Sequence, residues 1–191
     1  MNVNTPWSGT AKARDGNDAT LRPMQRRTLL TVGIVAGALL VAVGGTVALL
    51  SPGRRDGKLT EAGRAMFAAV ARAVLGPLLA QDPVLQAQVL RAHLDRVQAT
   101  IAGMPPALQA EVDELVTLVA SAPGRLALVG LHAGWQTATE LEVTAALQGM
   151  RESSLALRQQ AFHALRDISN ASYFADPTTW AAIGYPGPRA L

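Results

Sequence analysis

Between Thr28 and Leu50 the chain carries no charged residue. A helix of these 23 residues would rise about 34 Å, enough to cross a hydrocarbon core about 30 Å thick. The run has no polar face, so it makes a poor core helix for a chain of 191 residues. Export signal and permanent transmembrane anchor are the two roles it fits. Ser51-Pro52-Gly53 ends it, and Arg54-Arg55-Asp56-Gly57-Lys58 follows as an expected basic linker over 51–58. Residues 1–27 are polar, without period, and read as a disordered basic arm.

Charge is distributed around that run. Of the 17 basic and 14 acidic residues, eight basic and three acidic fall in 1–58, a net of +5. The remaining nine basic and eleven acidic residues give 59–191 a net of −2, which argues against nucleic-acid binding. There is no cysteine, so disulfides, iron–sulfur clusters and thiolate zinc sites are excluded.

Gln25-Arg26-Arg27-Thr28-Leu29-Leu30 stands directly ahead of the apolar run. It resembles the twin-arginine export pattern at Arg26, Arg27 and Leu30, and departs from it at Gln25, Leu29 and Thr31. Gly33, Gly37, Gly44 and Gly45 keep the run only mildly hydrophobic, as such signals are. Its end, Val47-Ala48-Leu49-Leu50, lacks a small-x-small cleavage site, so an uncleaved tether is one expectation.

From Leu59 onward the pattern predicts an all-α subunit domain over 59–191, an irregular bundle of five or six helices preceded by the one hydrophobic helix at 28–50. Thr60 caps a helix with Phe67, Val70, Val74 and Leu78. Asp82-Pro83 opens a second, with the stripe Ala87, Leu90, Leu94, Val97 and Ile101. A third carries Leu108, Val112, Leu115 and Val119, with Glu111, Asp113 and Glu114 placed to suit the helix dipole. Leu126–Leu131 is a helical turn. Thr139-x-x-Glu142 is a capping box ahead of Val143, Leu147 and Met150. Ser153 or Ser154 starts a helix with Leu157, Ala161, Leu165 and Ile168 on one face, and Asp176-Pro177 opens a short one closed by Gly184.

The three histidines, His93, His132 and His163, lack metal-ligand spacing and read as surface or hydrogen-bonded helical residues. No G-x-S-x-G surrounds a serine and no nucleotide-binding glycine fingerprint is present. One polar grouping, His163, Asp167 and Tyr173, keeps an enzymatic alternative open, since His163 and Asp167 are i, i+4 on one helix.

Aromatic residues gather near the C-terminus: Phe162, Tyr173, Phe174, Trp180 and Tyr185. Such a cluster serves either as local core or as an interface anchor. Asn170-x-x-Tyr173, then Asp176-Pro177-x-x-Trp180-x-x-Ile183-Gly184-Tyr185-Pro186-Gly187-Pro188, resembles the end of the gluconate 2-dehydrogenase subunit 3 family. The resemblance covers 60–188 in helical pattern and is specific over about the last thirty residues.

It implies a non-catalytic small subunit that escorts a large FAD-dependent dehydrogenase of the glucose–methanol–choline type through the twin-arginine translocase. A cytochrome c subunit would stand beside it, and flavin and haem would lie in the partners, with no cofactor in this chain. Tyr173, Phe174, Trp180, Tyr185, Pro186 and Pro188 would form the partner interface. The expected location is the bacterial inner membrane, with the C-terminal domain in the periplasm. The alternative is a stand-alone membrane-anchored helical protein with a structural or ligand-binding role.

Overall fold

A computed structural model describes residues 52–188. The arm expected over 1–27, with Arg26, Arg27 and Leu30, and the hydrophobic helix expected over 28–50 lie outside the described residues. Within them the chain is mostly helical, in agreement with the all-α expectation. A two-stranded antiparallel hairpin, β1 (Arg54–Arg55) and β2 (Lys58–Leu59), precedes five long helices. These are α1 (Glu61–Leu75), α2 (Pro83–Ala102), α3 (Pro106–Ala120), α4 (Glu140–Arg151) and α5 (Ala156–Phe174). A π-type turn, Arg125–Val129, stands where a helical turn was expected, and a 3₁₀ segment, Pro177–Ile183, follows α5. Among the described residues no single helix is long and apolar enough to cross a membrane.

Helix α1 is the hub. It packs against each of α2, α3, α4 and α5. Burial on several sides explains its alanine content: Ala69 and Ala71 are buried beside Met66, Phe67, Val70 and Leu75, and small residues let neighbouring helices approach closely. The predicted stripes are largely the buried faces: Leu90, Leu94, Val97 and Ile101 on α2, Val143, Leu147 and Met150 on α4, Ala161, Leu165 and Ile168 on α5. Ala87 and Leu108 are exposed instead, and Val116, buried on α3, lies between the predicted positions Val112 and Val119.

Local chemistry sets most helix starts. Thr60 and Asp82 accept hydrogen bonds from the amides of Gly63 and Leu85. Thr139 and Glu142 form both halves of a capping box. Helix α5 begins later than the expected Ser153 or Ser154: Leu155 takes the cap position with no side-chain bond, while the Ser153 hydroxyl accepts from the Leu155 amide one step earlier.

The segment from Pro52 to Lys58, expected as part of a linker, is instead folded against the helices. Asp56 (φ 51°) and Gly57 (φ 74°) make the left-handed pair that a tight hairpin turn requires. The Arg54 side chain is buried, pairs with Asp113 and donates to the Gly57 carbonyl at 2.8 Å. Asp113 thus receives Arg54 from the hairpin, where a role at the helix dipole was expected. The Gly53 amide donates to Thr117 Oγ1 at 3.1 Å, and the Leu59 amide to Gln98 Oε1 at 3.2 Å.

A second, smaller apolar cluster joins the end of α1 to α2 and α5 through Ala71, Leu75, Leu79, Leu90 and Tyr173. The Tyr173 hydroxyl donates to the Leu78 carbonyl at 2.9 Å. Tyr173→Phe is expected to cost about 1–2 kcal/mol, because it removes that bond from a phenol only 4% exposed. Urea denaturation should show a lower midpoint at unchanged slope.

Candidate functional site

The C-terminal aromatics do not form one cluster of one kind. Phe162 and Tyr173 are core residues, at 8% and 4% exposure. Phe174 and Trp180 are half-buried. Ile183 and Tyr185 are exposed at 53% and 46%, and Pro186 and Pro188 are exposed beside them. The expected interface set is therefore divided: Tyr173 faces inward, while Tyr185, Pro186 and Pro188 face solvent.

What separates the two groups is a braced strap running from the end of α5 to Pro188. Asp176 caps it, accepting from the Thr178 amide at 3.0 Å and the Thr178 hydroxyl at 2.7 Å. Those two bonds hold the Asp176 carboxyl below its usual range, with the nearby Arg96 cation adding to the effect. The Thr179 hydroxyl donates to the Asp176 carbonyl at 2.7 Å, and the Trp180 indole N–H to the Phe174 carbonyl at 2.8 Å. The chain then reverses, and the Tyr185 amide donates to the Trp180 carbonyl at 3.0 Å. The Trp180 and Tyr185 rings meet edge to face, 5.2 Å between centroids. Gly187, at φ 92°, lies against the Trp180 ring, where a β-carbon would come within 3.4 Å of it.

Arg96, on α2, fastens this strap to the bundle. Its Nε donates to the Ser172 carbonyl at 3.0 Å and its Nη1 pairs with Asp176 at 3.2 Å. The Ser172 hydroxyl donates to Thr100 Oγ1 at 3.0 Å in the same seam between α2 and α5. No sequence pattern points to Arg96, because its partners lie 76 and 80 residues further along the chain.

His93 occupies the same seam and corrects the expectation that it lies on the surface or in a hydrogen bond. It is fully buried, and neither ring nitrogen has a hydrogen-bond partner. Its ring centroid is 6.2 Å from that of Tyr173. Burial, and secondarily the Arg96 charge, push its pKa down from 6.5 to about 4, so the imidazole is neutral at pH 7. Burial likewise pushes the Tyr173 phenol upward.

The His163, Asp167 and Tyr173 grouping is not assembled. His163 is exposed and sits edge-on to Phe162, Asp167 pairs with its neighbour Arg166, and Tyr173 is buried with its hydroxyl on Leu78. Among the described residues no group of three or more His, Asp or Glu is placed to hold a metal ion. Chemically, the strap offers a rigid apolar and aromatic edge with little entropy left to lose on docking, which is how Tyr and Trp serve at interfaces.

No family model matches the chain, and neither a curated protein nor a solved structure matches it.

Proposed function

We propose that this chain is the non-catalytic small subunit of a flavin-dependent dehydrogenase complex of the glucose–methanol–choline type. In this reading Arg26, Arg27 and Leu30 address the complex to the twin-arginine translocase. The apolar run at 28–50 tethers it to the bacterial inner membrane, with the helical domain in the periplasm. FAD, and haem where a cytochrome c subunit is present, belong to the partners.

The observation that carries the proposal is the strap. The residues resembling the end of the gluconate 2-dehydrogenase subunit 3 family, Asp176 to Pro188, coincide with one braced element that keeps Ile183 and Tyr185 exposed. Large apolar side chains held outward on a rigid backbone are what a permanent partner would cover.

The full chain, tagged and solubilised from its native membranes, is expected to bring down a flavoprotein identified by its bound FAD. Ile183→Asp with Tyr185→Asp is expected to abolish that capture and to leave the melting temperature nearly unchanged, since both side chains are exposed. Recovery of no flavoprotein, or of flavin, haem or metal bound stoichiometrically to the isolated chain, rejects the proposal. The first of those outcomes leaves the stand-alone membrane-anchored protein as the surviving reading.

A further inference from the structure

The hairpin β1–β2 has two unlike faces. Arg54 and Leu59 are paired across the strands, and both are buried in the bundle. Arg55 and Lys58 are the other cross-strand pair, and both are exposed. Neither forms an ion pair among the described residues, where the five ion pairs use Arg54, Arg64, Arg96, Arg151 and Arg166. Like charges set directly opposite each other on a ribbon repel, so this arrangement disfavours the hairpin unless an anion lies over it.

Position gives the anion a source. The uncharged run ends at Leu50, and Gly53 is already buried on the bundle. Three Cα steps reach at most about 11 Å. A headgroup layer is roughly 5–8 Å deep on each side of the hydrocarbon. The hairpin has no freedom to swing away, because Thr60 Oγ1 donates to the Pro52 and Gly53 carbonyls at 2.8 and 3.1 Å while Arg54 is locked to Asp113.

We infer that the outer face of the hairpin, Arg55 and Lys58, is a contact surface for anionic phospholipid headgroups, which fixes the helical domain against the bilayer instead of leaving it on a free tether. The inference rests on the membrane placement proposed above. Lipid attraction amounts to about fivefold per basic residue near an anionic leaflet, so the pair favours the docked orientation by about 30-fold at low ionic strength.

The chain has no cysteine, so a single Glu61→Cys, at the exposed start of α1, carries a unique fluorophore. The labelled full chain is placed in discs of phosphatidylcholine, or of phosphatidylcholine with phosphatidylglycerol, each with a headgroup-borne nitroxide quencher. Quenching is expected to be stronger in the anionic discs, and to fall to the neutral-disc level in Arg55→Gln with Lys58→Gln and in high salt. A thermal melt checks that variant; if its fold is disturbed, the lipid and salt dependence of the otherwise unaltered chain decides alone. A chain that resists alkaline carbonate extraction but whose quenching ignores lipid charge overturns this inference and leaves the tether standing. A chain that carbonate extracts overturns both.

Discussion

Gly63→Ala is expected to destabilise the helical domain by about 3–5 kcal/mol, although glycine-to-alanine changes inside helices ordinarily stabilise by about 0.5–1 kcal/mol. The reason is the contact between α1 and the strand leading into the hairpin. A β-carbon on Gly63 would be driven into the Gly53 carbonyl, which accepts from the Thr60 amide at 3.0 Å and the Thr60 hydroxyl at 3.1 Å. Gly53 cannot retreat, because its own α-carbon is pressed on α3, where an added methyl would lie 2.6 Å from Val116 Cγ1 and 2.7 Å from the Val116 carbonyl. Backbone is caught on both sides. Relief requires breaking the Thr60 bonds, and with them the cap of α1, worth about 1 kcal/mol by itself.

For a domain of this size such a loss corresponds to a fall of roughly 10–20 °C in melting temperature. Gly149→Ala is the matched control. Gly149 is an exposed position of α4, and the nearest atom to an added methyl is Arg158 Nη2, 4.0 Å away. That variant is expected to be neutral or to gain about 0.5–1 kcal/mol. Equal melting temperatures for the two variants would show that Gly53 and Gly63 do not make the close approach described.

How much of this was legible depends on the range of the interactions involved. The caps at Thr60, Asp82, Thr139 and Asp176 are satisfied within three residues, so they can be read directly from sequence. The hairpin is not of that kind. Its Asp56-Gly57 turn is a local signal, but strands of two residues carry no alternation, and the groups that hold the segment, Gln98, Asp113 and Thr117, lie 39 to 64 residues away. A basic cluster after an apolar run reads as linker until one of its arginines is seen to be buried. The strap is half legible: Asp176-Pro177 and Gly184 bound it, but which aromatics turn inward depends on where α2 places Arg96 and Leu90. His93 had a signal that its residue type masked. It falls among Leu90, Leu94 and Val97 on the buried stripe of α2, where helical spacing alone puts it inside.

That buried histidine sets the acid response of the fold. Its folded-state pKa of about 4 lies below the ordinary 6.5, so on acidification the unfolded chain takes up a proton before the folded one does. Stability is therefore full above about pH 6.5, falls as the pH drops toward 4, and levels off below it; the whole loss is on the order of 3 kcal/mol. The charges in its seam reinforce the direction. Arg96 already brings a cation, paired with Asp176, and the Tyr173 phenol is neutral throughout this range, so nothing described there welcomes an imidazolium.

The carboxylates act in a separate window. Hydrogen bonding holds Asp176 below 3.8 and Glu142 below 4.5, so their contributions are lost at the acid end of the titration or beyond it. Urea midpoints between pH 7.5 and 4 should decline for the natural chain and stay nearly flat for His93→Leu, which has no proton to take up. At pH 7.5 the leucine variant should be at least as stable, because it removes two ring nitrogens buried without partners. Parallel pH profiles for the two chains would mean that His93 is solvated in solution, and the seam between α2 and α5 would then be open to water.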